Sequence, residues 1–318
     1  TDTKMTLLLP WVTLGSGLNW CDVIVGGGTG STLGQFTEIG SGAVHFNFTP
    51  RGDKATGSLL GTLTAGVFLD QPRLFVGGNS SLIGPAFADF GAIFAAGGRY
   101  TGRLDAGLHT ARPDSALASA SVPGGVDFDP NFDLEIYGSV KRLYDSQLQV
   151  IAQLAALETW YAQVRLRLAE GHADRTELYR RAAAVVRQNR EERIIQLGGL
   201  VARLERSVSL LEARHTGDAR IEQQRDLLNA WPAVAPLLGT TPDQALTLPS
   251  ELAQGLDRGK ETALADAKEP GQDWRYTTAV QALHPAAREA GRAWLTAVAR
   301  EAVPSSVFER VRPLARRA

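Results

Sequence analysis

The first third of this sequence repeats a small unit, an apolar residue followed at once by a small one, and that unit limits the folds open to the chain. Leu33–Gly34 is followed six residues later by Ile39–Gly40. Val76–Gly77, Leu82, Phe90–Gly91 and Ala96–Gly97 supply later steps, with a one-residue slip near Ile83–Gly84, and Leu14–Gly15 and Leu60–Gly61 also fit. Three six-residue steps make one coil of a left-handed parallel β-helix, in which the apolar residue points inward and the small one turns the corner. The fold expected is therefore β + α: a short left-handed parallel β-helix of hexapeptide repeats over residues 1–109, then an α-helical domain. On periodicity alone, an ordinary glycine-rich sandwich or barrel stays open beside it. A dinucleotide fold is disfavoured, because the glycine turn in Asp22–Ser31 runs on into β and turn residues rather than a helix. Without that helix there is no N-terminus to hold a pyrophosphate.

From about residue 133 the composition turns to Leu, Ala, Arg, Glu and Gln. Val140, Leu143, Tyr144, Leu148, Ile151, Leu154, Tyr161, Val164 and Leu168 recur at three- and four-residue steps and form one apolar stripe. Ile194, Leu197, Val201, Leu204, Val208 and Leu211 form a second with heptad spacing, too short for a long coiled coil and suited to a helical hairpin or small bundle. Further helices are expected over Ser250–Lys268 and Thr277–Ala302, with Pro232, Pro236, Pro242 and Pro270 in loops and Gly171 and Gly198–Gly199 as weak points. The Ala-, Ser-, Pro- and Gly-rich stretch 110–132 reads as a linker between the β-helix and a helical domain at 133–318.

With 33 Lys and Arg against 34 Asp and Glu in 318 residues, the chain is near neutral, so nucleic acid is not an expected partner. No apolar run is long enough to cross a bilayer, and Met5–Leu9 is too short for a signal-peptide core, so a cytoplasmic protein is expected. The single cysteine, Cys21, excludes an intramolecular disulfide and a multi-cysteine metal site. Asp22, Asp53 and Asp70 are scattered acids without a second ligand at metal spacing, so no catalytic metal is expected.

Three stretches resemble one bacterial family. Ile39-Gly-Ser-Gly-Ala-Val-His-Phe-Asn-Phe-Thr-Pro-Arg-Gly-Asp-Lys-Ala-Thr56 resembles a segment in the β-helix of the N-acetylglucosamine-1-phosphate uridyltransferase/glucosamine-1-phosphate acetyltransferase family. Leu74–Pro85 and Phe90–Gly98 resemble the coils that follow in that domain, in the same order. The wording Asn19-Trp-Cys-Asp22, His45-Phe-Asn-Phe-Thr-Pro50 and Gly52-Asp-Lys-Ala-Thr56 is similar to a branch described as UDP-N-acetylglucosamine pyrophosphorylase-related proteins. The resemblance covers residues 10–105 and none of the helical half. It implies the left-handed β-helix, an amino-sugar phosphate or nucleotide sugar as ligand, and an acetyl-CoA pocket lined by backbone near Gly78 and Ala95. Two departures stand against it. The chain starts almost at the repeat, so the nucleotidyl half-reaction is not expected of it alone, and the place matching the family's general base, near Asn19–Trp20, holds no histidine.

Acyl transfer to an amine needs a base near neutral pKa and a donor for the oxyanion. His45 lies two residues before Asn47, so on a strand the two face one side, His45 as a displaced base and Asn47 as a hydrogen-bonding partner of substrate. The alternative is a histidine satisfied within the fold and an asparagine ladder. Arg51, Asp53 and Lys54 form a loop after Pro50; Arg51 and Lys54 suit a sugar phosphate or the phosphates of coenzyme A, or else are a solvated charged loop. Small residues at Gly78 and Ala95 leave room for a pantetheine arm and are equally what tight corners need. Two functions from different classes follow: a sugar-nucleotide-pathway transferase, acyl-CoA dependent, or a non-catalytic scaffold or assembly module. A homotrimer is expected under either.

Overall fold

The structure is a computed structural model and describes residues 1–46, 57–110, 137, 140–214, 219–239, 246–267 and 275–314. The expected linker therefore lies outside the described residues except for Thr110, as do Asn47, Arg51, Asp53 and Lys54.

Thirteen short strands are described: β1 Asp2–Lys4, β2 Leu7–Leu8, β3 Val12–Leu14, β4 Asn19–Cys21, β5 Val23–Val25, β6 Thr37–Ile39, β7 Val44–Phe46, β8 Ser58–Leu60, β9 Phe75–Val76, β10 Ser81–Ala88, β11 Ala92–Phe94, β12 Arg99–Leu104 and β13 Gly107–His109. They pair in parallel in two sheets. One has the order β1-β4-β7-β10-β8-β5-β2, with β12 also on β10; the other has the order β13-β11-β9-β6-β3. This pairing corrects the expected left-handed β-helix. Hexapeptide coils return every ~18 residues and build three separate faces. Here the strands make a curled half-barrel of two parallel sheets, and with the helices packed on it the fold is α/β. Two runs of strands merge at β10, whose first half pairs with β7 and second half with β8, with a register shift between Ile83 and Ala86. Successive partners along one run lie 17, 25, 37 and 18 residues apart (Asp2↔Asn19, Asn19↔Val44, Val44↔Ser81, Ser81↔Arg99). Leu33, counted as an inward step of the repeat, is 88% exposed on a turn.

The local rule of an apolar residue then a small one does describe the interior. Leu14, Ile39 and Val76 occupy equivalent places on β3, β6 and β9, and Ile39 and Val76 are fully buried. Their following glycines let the chain stack corner on corner: a Cβ at Gly40 would lie 2.5 Å from the Gly78 nitrogen. The inner core comprises Trp20, Val23, Val25, Leu60, Leu82, Phe94 and Tyr100 among others.

The helices described are α1 Leu63–Gly66, α2 Lys141–Thr159, α3 Leu166–Leu168, α4 Ala173–Ala202, α5 Leu204–Arg214, α6 Ala219–Leu238, α7 Ser250–Asp266, α8 Tyr276–Gln281, α9 Pro285–Ala302 and α10 Ser305–Phe308. A π-helical turn, Trp160–Arg165, joins α2 to α3, and Gly171, at φ +86°, allows the reversal into α4. The first apolar stripe lies along α2, the π turn and α3, as the spacing predicts. The second is divided between α4 and α5 at Arg203, and the span 277–302 breaks between α8 and α9. Pro232 and Pro236 stand inside α6 rather than in a loop.

The helices do not form a separate core. Ile24 of β5 and Leu59 of β8 point away from the inner core into a second one shared with Tyr144, Leu148, Ile151, Leu252 and Leu295. Phe68, just after α1, is fully buried in it, edge-on to Trp160 at 5.0 Å. Gln153 of α2 accepts the Leu63 and Thr64 amides at 2.7 and 3.2 Å, capping α1 from the helical side. Arg142 of α2 donates to the Pro85 carbonyl and to Thr101 Oγ1 at the bend of β10.

Gly291 of α9 lets this seam close, since a Cβ there would lie 2.5 Å from Phe68 Cζ. Gly291→Ala is expected to destabilise the fold by about 1–3 kcal/mol through overpacking, although alanine is the better helix former. In a Phe68→Leu background the same change should become neutral or stabilising. Urea denaturation of the four proteins checks this, and an equal effect in both backgrounds would exclude the ring contact as the cause.

Candidate functional site

His45 is the one residue proposed for chemistry whose side chain is described. It sits mid-strand in β7, paired with Leu82 of β10, which in turn pairs with Tyr100 of β12. Alternation sends His45, Leu82 and Tyr100 inward. Trp20 lies beside it, ring centroids 6.4 Å apart, and His45 is 3% exposed.

Both ring nitrogens are occupied. Nδ1 bonds the Cys21 carbonyl of β4, and Nε2 lies 2.7 Å from Ser58 Oγ of β8. A carbonyl can only accept, so Nδ1 carries the proton and Nε2 accepts from the Ser58 hydroxyl. Ser58 Oγ accepts in turn from the Ala86 amide of β10 at 2.9 Å. One side-chain chain thus ties β4, β7, β8 and β10 together. Burial lowers the His45 pKa from 6.5 to about 4, against the opposing pull of the Cys21 carbonyl, so the ring is neutral at physiological pH. A serine beside a neutral histidine has the makings of a nucleophile and base. Ser58, however, is 1% exposed and is itself held by a backbone amide.

Next to this chain is a buried ion pair. Asp22, at φ +69°, a region aspartate tolerates better than most residues, joins Arg193 of α4. Both side chains are buried, and burial pushes the Arg193 pKa down to about 10. Gly57 fits between them and His45's partner Ser58, its carbonyl accepting from Ser146 of α2 at 3.1 Å. Ser58 and Arg193 are absent from the sequence reading. Ser58 is one serine in an apolar strand, and Arg193 comes from a helix over a hundred residues away, with no spacing signal to connect them.

Gly78 and Ala95 lie in the turns after β9 and β11. The Gly78 carbonyl accepts from Gly97, and the Ala95 carbonyl accepts from Ser80 and from the Tyr100 hydroxyl at 2.7 Å. Their hydrogen bonds tie these turns together and do not reach His45. A separate cleft of about 260 Å³ lies between β8, β10, α2 and α9, with Arg103, Arg300 and Asp89 at its rim. Among the described residues no group of three or more His, Cys, Asp or Glu is placed to hold a metal ion. No helix described is long and apolar enough to cross a membrane.

No protein-family model matches this chain, and no curated protein matches it.

Two outcomes follow from the buried groups. The unfolded chain takes up a proton on His45 as pH falls through 6.5, whereas the folded chain does so only near 4. Stability held by the neutral ring is present above pH 6.5 and lost between 6.5 and 4, by about 3 kcal/mol. The stability gap between wild type and His45→Asn should therefore narrow by roughly that amount from pH 7.5 to 4.5, as read by urea denaturation; a constant gap would show that the ring is not held neutral. Arg193→Met leaves the Asp22 carboxylate buried alone and should cost about 3–5 kcal/mol. Asp22→Asn with Arg193→Met should recover much of the loss, because asparagine also tolerates positive φ. The same denaturation experiment decides it, and no recovery in the double variant would count against the pair.

Proposed function

We propose that this chain is a non-catalytic scaffold or assembly module. The observation that carries this reading is His45: the residue put forward as general base is buried in the inner core with both nitrogens engaged, and it spans four strands as a cross-link. A general base must reach the proton that it abstracts, and this ring is spent on the fold.

Self-assembly is part of the proposal. Phe75, Ile93 and Leu108 stand side by side across β9, β11 and β13 on the outer face of the smaller sheet. Ile93 is 40% and Leu108 68% exposed, and β13 is the edge strand. Among the described residues nothing pairs with that edge, and an apolar row ending there is what a second copy covers. We infer a homotrimer in the cytoplasm, a compartment in keeping with a sequence that holds one cysteine. The transferase reading rests on the family resemblance around His45–Lys54, and it is the other outcome of the test.

Calorimetry with UDP-N-acetylglucosamine, glucosamine-1-phosphate and acetyl-CoA should give no heat of binding, and no acetyl transfer should be measurable. Light scattering after size exclusion should give the mass of three chains, reduced to one by Ile93→Lys with Leu108→Lys. A turnover abolished by His45→Asn would overturn the scaffold and favour the transferase, and a wild-type monomer would overturn the assembly.

A further inference from the structure

The π-helical turn Trp160–Arg165 places a guanidinium where, among the described residues, no acid meets it. Arg165 lies among three tyrosines, with its Cζ 3.2 Å from the Tyr276 ring centroid, 5.1 Å from that of Tyr161 and 5.2 Å from that of Tyr179. The rings favour the cation, and the Tyr179 hydroxyl takes one hydrogen bond from it. Arg165 Nε is buried without a hydrogen-bond partner, and among the described residues no carboxylate pairs with this side chain. Glu158, seven residues earlier on the same helical run, is already bound by Arg187 and Arg190 at 2.6 and 3.2 Å. The Tyr276 hydroxyl is also taken, accepting from Trp160 Nε1 at 2.8 Å.

Arg165 lines a cavity of about 320 Å³ between β2, the residue after α1, α2, α4 and α8. Leu7, Leu9, Val67, Leu157 and Val186 supply apolar walls, and Trp160, Tyr161 and Tyr276 add aromatic ones. Arg165 is the one charged residue in the lining described. A mainly apolar cavity of a few hundred Å³ with a few placed polar groups is the form that small-molecule sites take. A π turn within an α-helix is a frequent companion of such sites. A half-buried cation with no anion among the described residues gains from any anion that can follow it out of water. A single guanidinium with no second cation suits one negative charge. The hydrocarbon walls suit a short aliphatic body rather than a sugar or a nucleotide.

We propose that this cavity binds a small amphipathic carboxylate, with the carboxylate on Arg165 and the hydrocarbon part against Leu7, Leu157 and Val186. The site is separate from the His45 cross-link and goes beyond the scaffold reading.

The test is calorimetry on the full chain with octanoate, and with octanol as its uncharged counterpart. Octanoate should bind saturably and raise the melting temperature, and octanol should bind at least tenfold more weakly. Arg165→Gln should weaken octanoate at least tenfold. Val186→Trp, which fills the cavity from α4 and leaves Arg165 in place, should abolish binding even if Arg165→Gln does not fold. No octanoate binding, equal binding of octanol, or unchanged binding in Val186→Trp would each overturn the proposal.

Discussion

Burial of one pair of strands on both faces holds this molecule together. In β5, Val23 and Val25 point to the inner core while Ile24 points to the helices; in β8, Leu60 and Leu59 divide in the same way. All of these side chains are buried. A parallel strand with both faces covered reads as a continuous apolar run, and Val23-Ile24-Val25 and Leu59-Leu60 are such runs. The inner and outer cores therefore share their backbone. Loss of either would leave one face of β5 and β8 in water, at roughly 1.5–3 kcal/mol for each large apolar side chain exposed. The helical region is in this sense the missing layer of the sheet.

Polar contacts decide how the layer sits, because apolar burial has no direction. Each joins a long helix to the strand half of the chain at one position: Gln153 to the start of α1, Arg142 to the bend of β10, Arg193 to Asp22, and Arg288 and Arg292 of α9 to Asp70. The Asp22–Arg193 pair is the most deeply buried of the ion pairs among these. Desolvation takes back much of what such a pair gains by attraction. Its effect is on specificity: a helix docked one turn out of place would leave a charge buried alone.

What was legible in the sequence was local. The alternation that sends Ile39, Val76 and Leu82 inward follows from single residues and their neighbours, as does the three-four spacing along α2. The closure of the strands was not legible. It depends on how many residues lie between returns, and those intervals vary from 17 to 37 because turns and whole segments intervene. Leu33–Gly34 matched the repeat in wording and sits on an exposed turn, since a two-residue pattern does not encode which side of the chain meets a neighbour. The prolines of α6 failed for a related reason. Packing on the shared core holds Pro232 and Pro236 within a helix that their own propensity opposes.

The candidate site shows the same limit in its chemistry. Histidine two positions before asparagine is compatible with a base beside a substrate and with a structural cross-link, and the residues themselves do not differ. The distinction lies in the partners: a carbonyl on β4 and a hydroxyl on β8 occupy both nitrogens, and neither is near His45 in sequence. Arg165 is the converse. In the sequence it is one of many arginines in the helical half. Three tyrosines from separate stretches of the chain, and the lack of any acid beside it among the described residues, set it apart. For both residues, function turns on whether the polar group's needs are met by the fold. Both His45 nitrogens are engaged by the fold, whereas Arg165 has no carboxylate beside it among the described residues and stands at the wall of a cavity, which is why the proposed ligand is placed in the helical half.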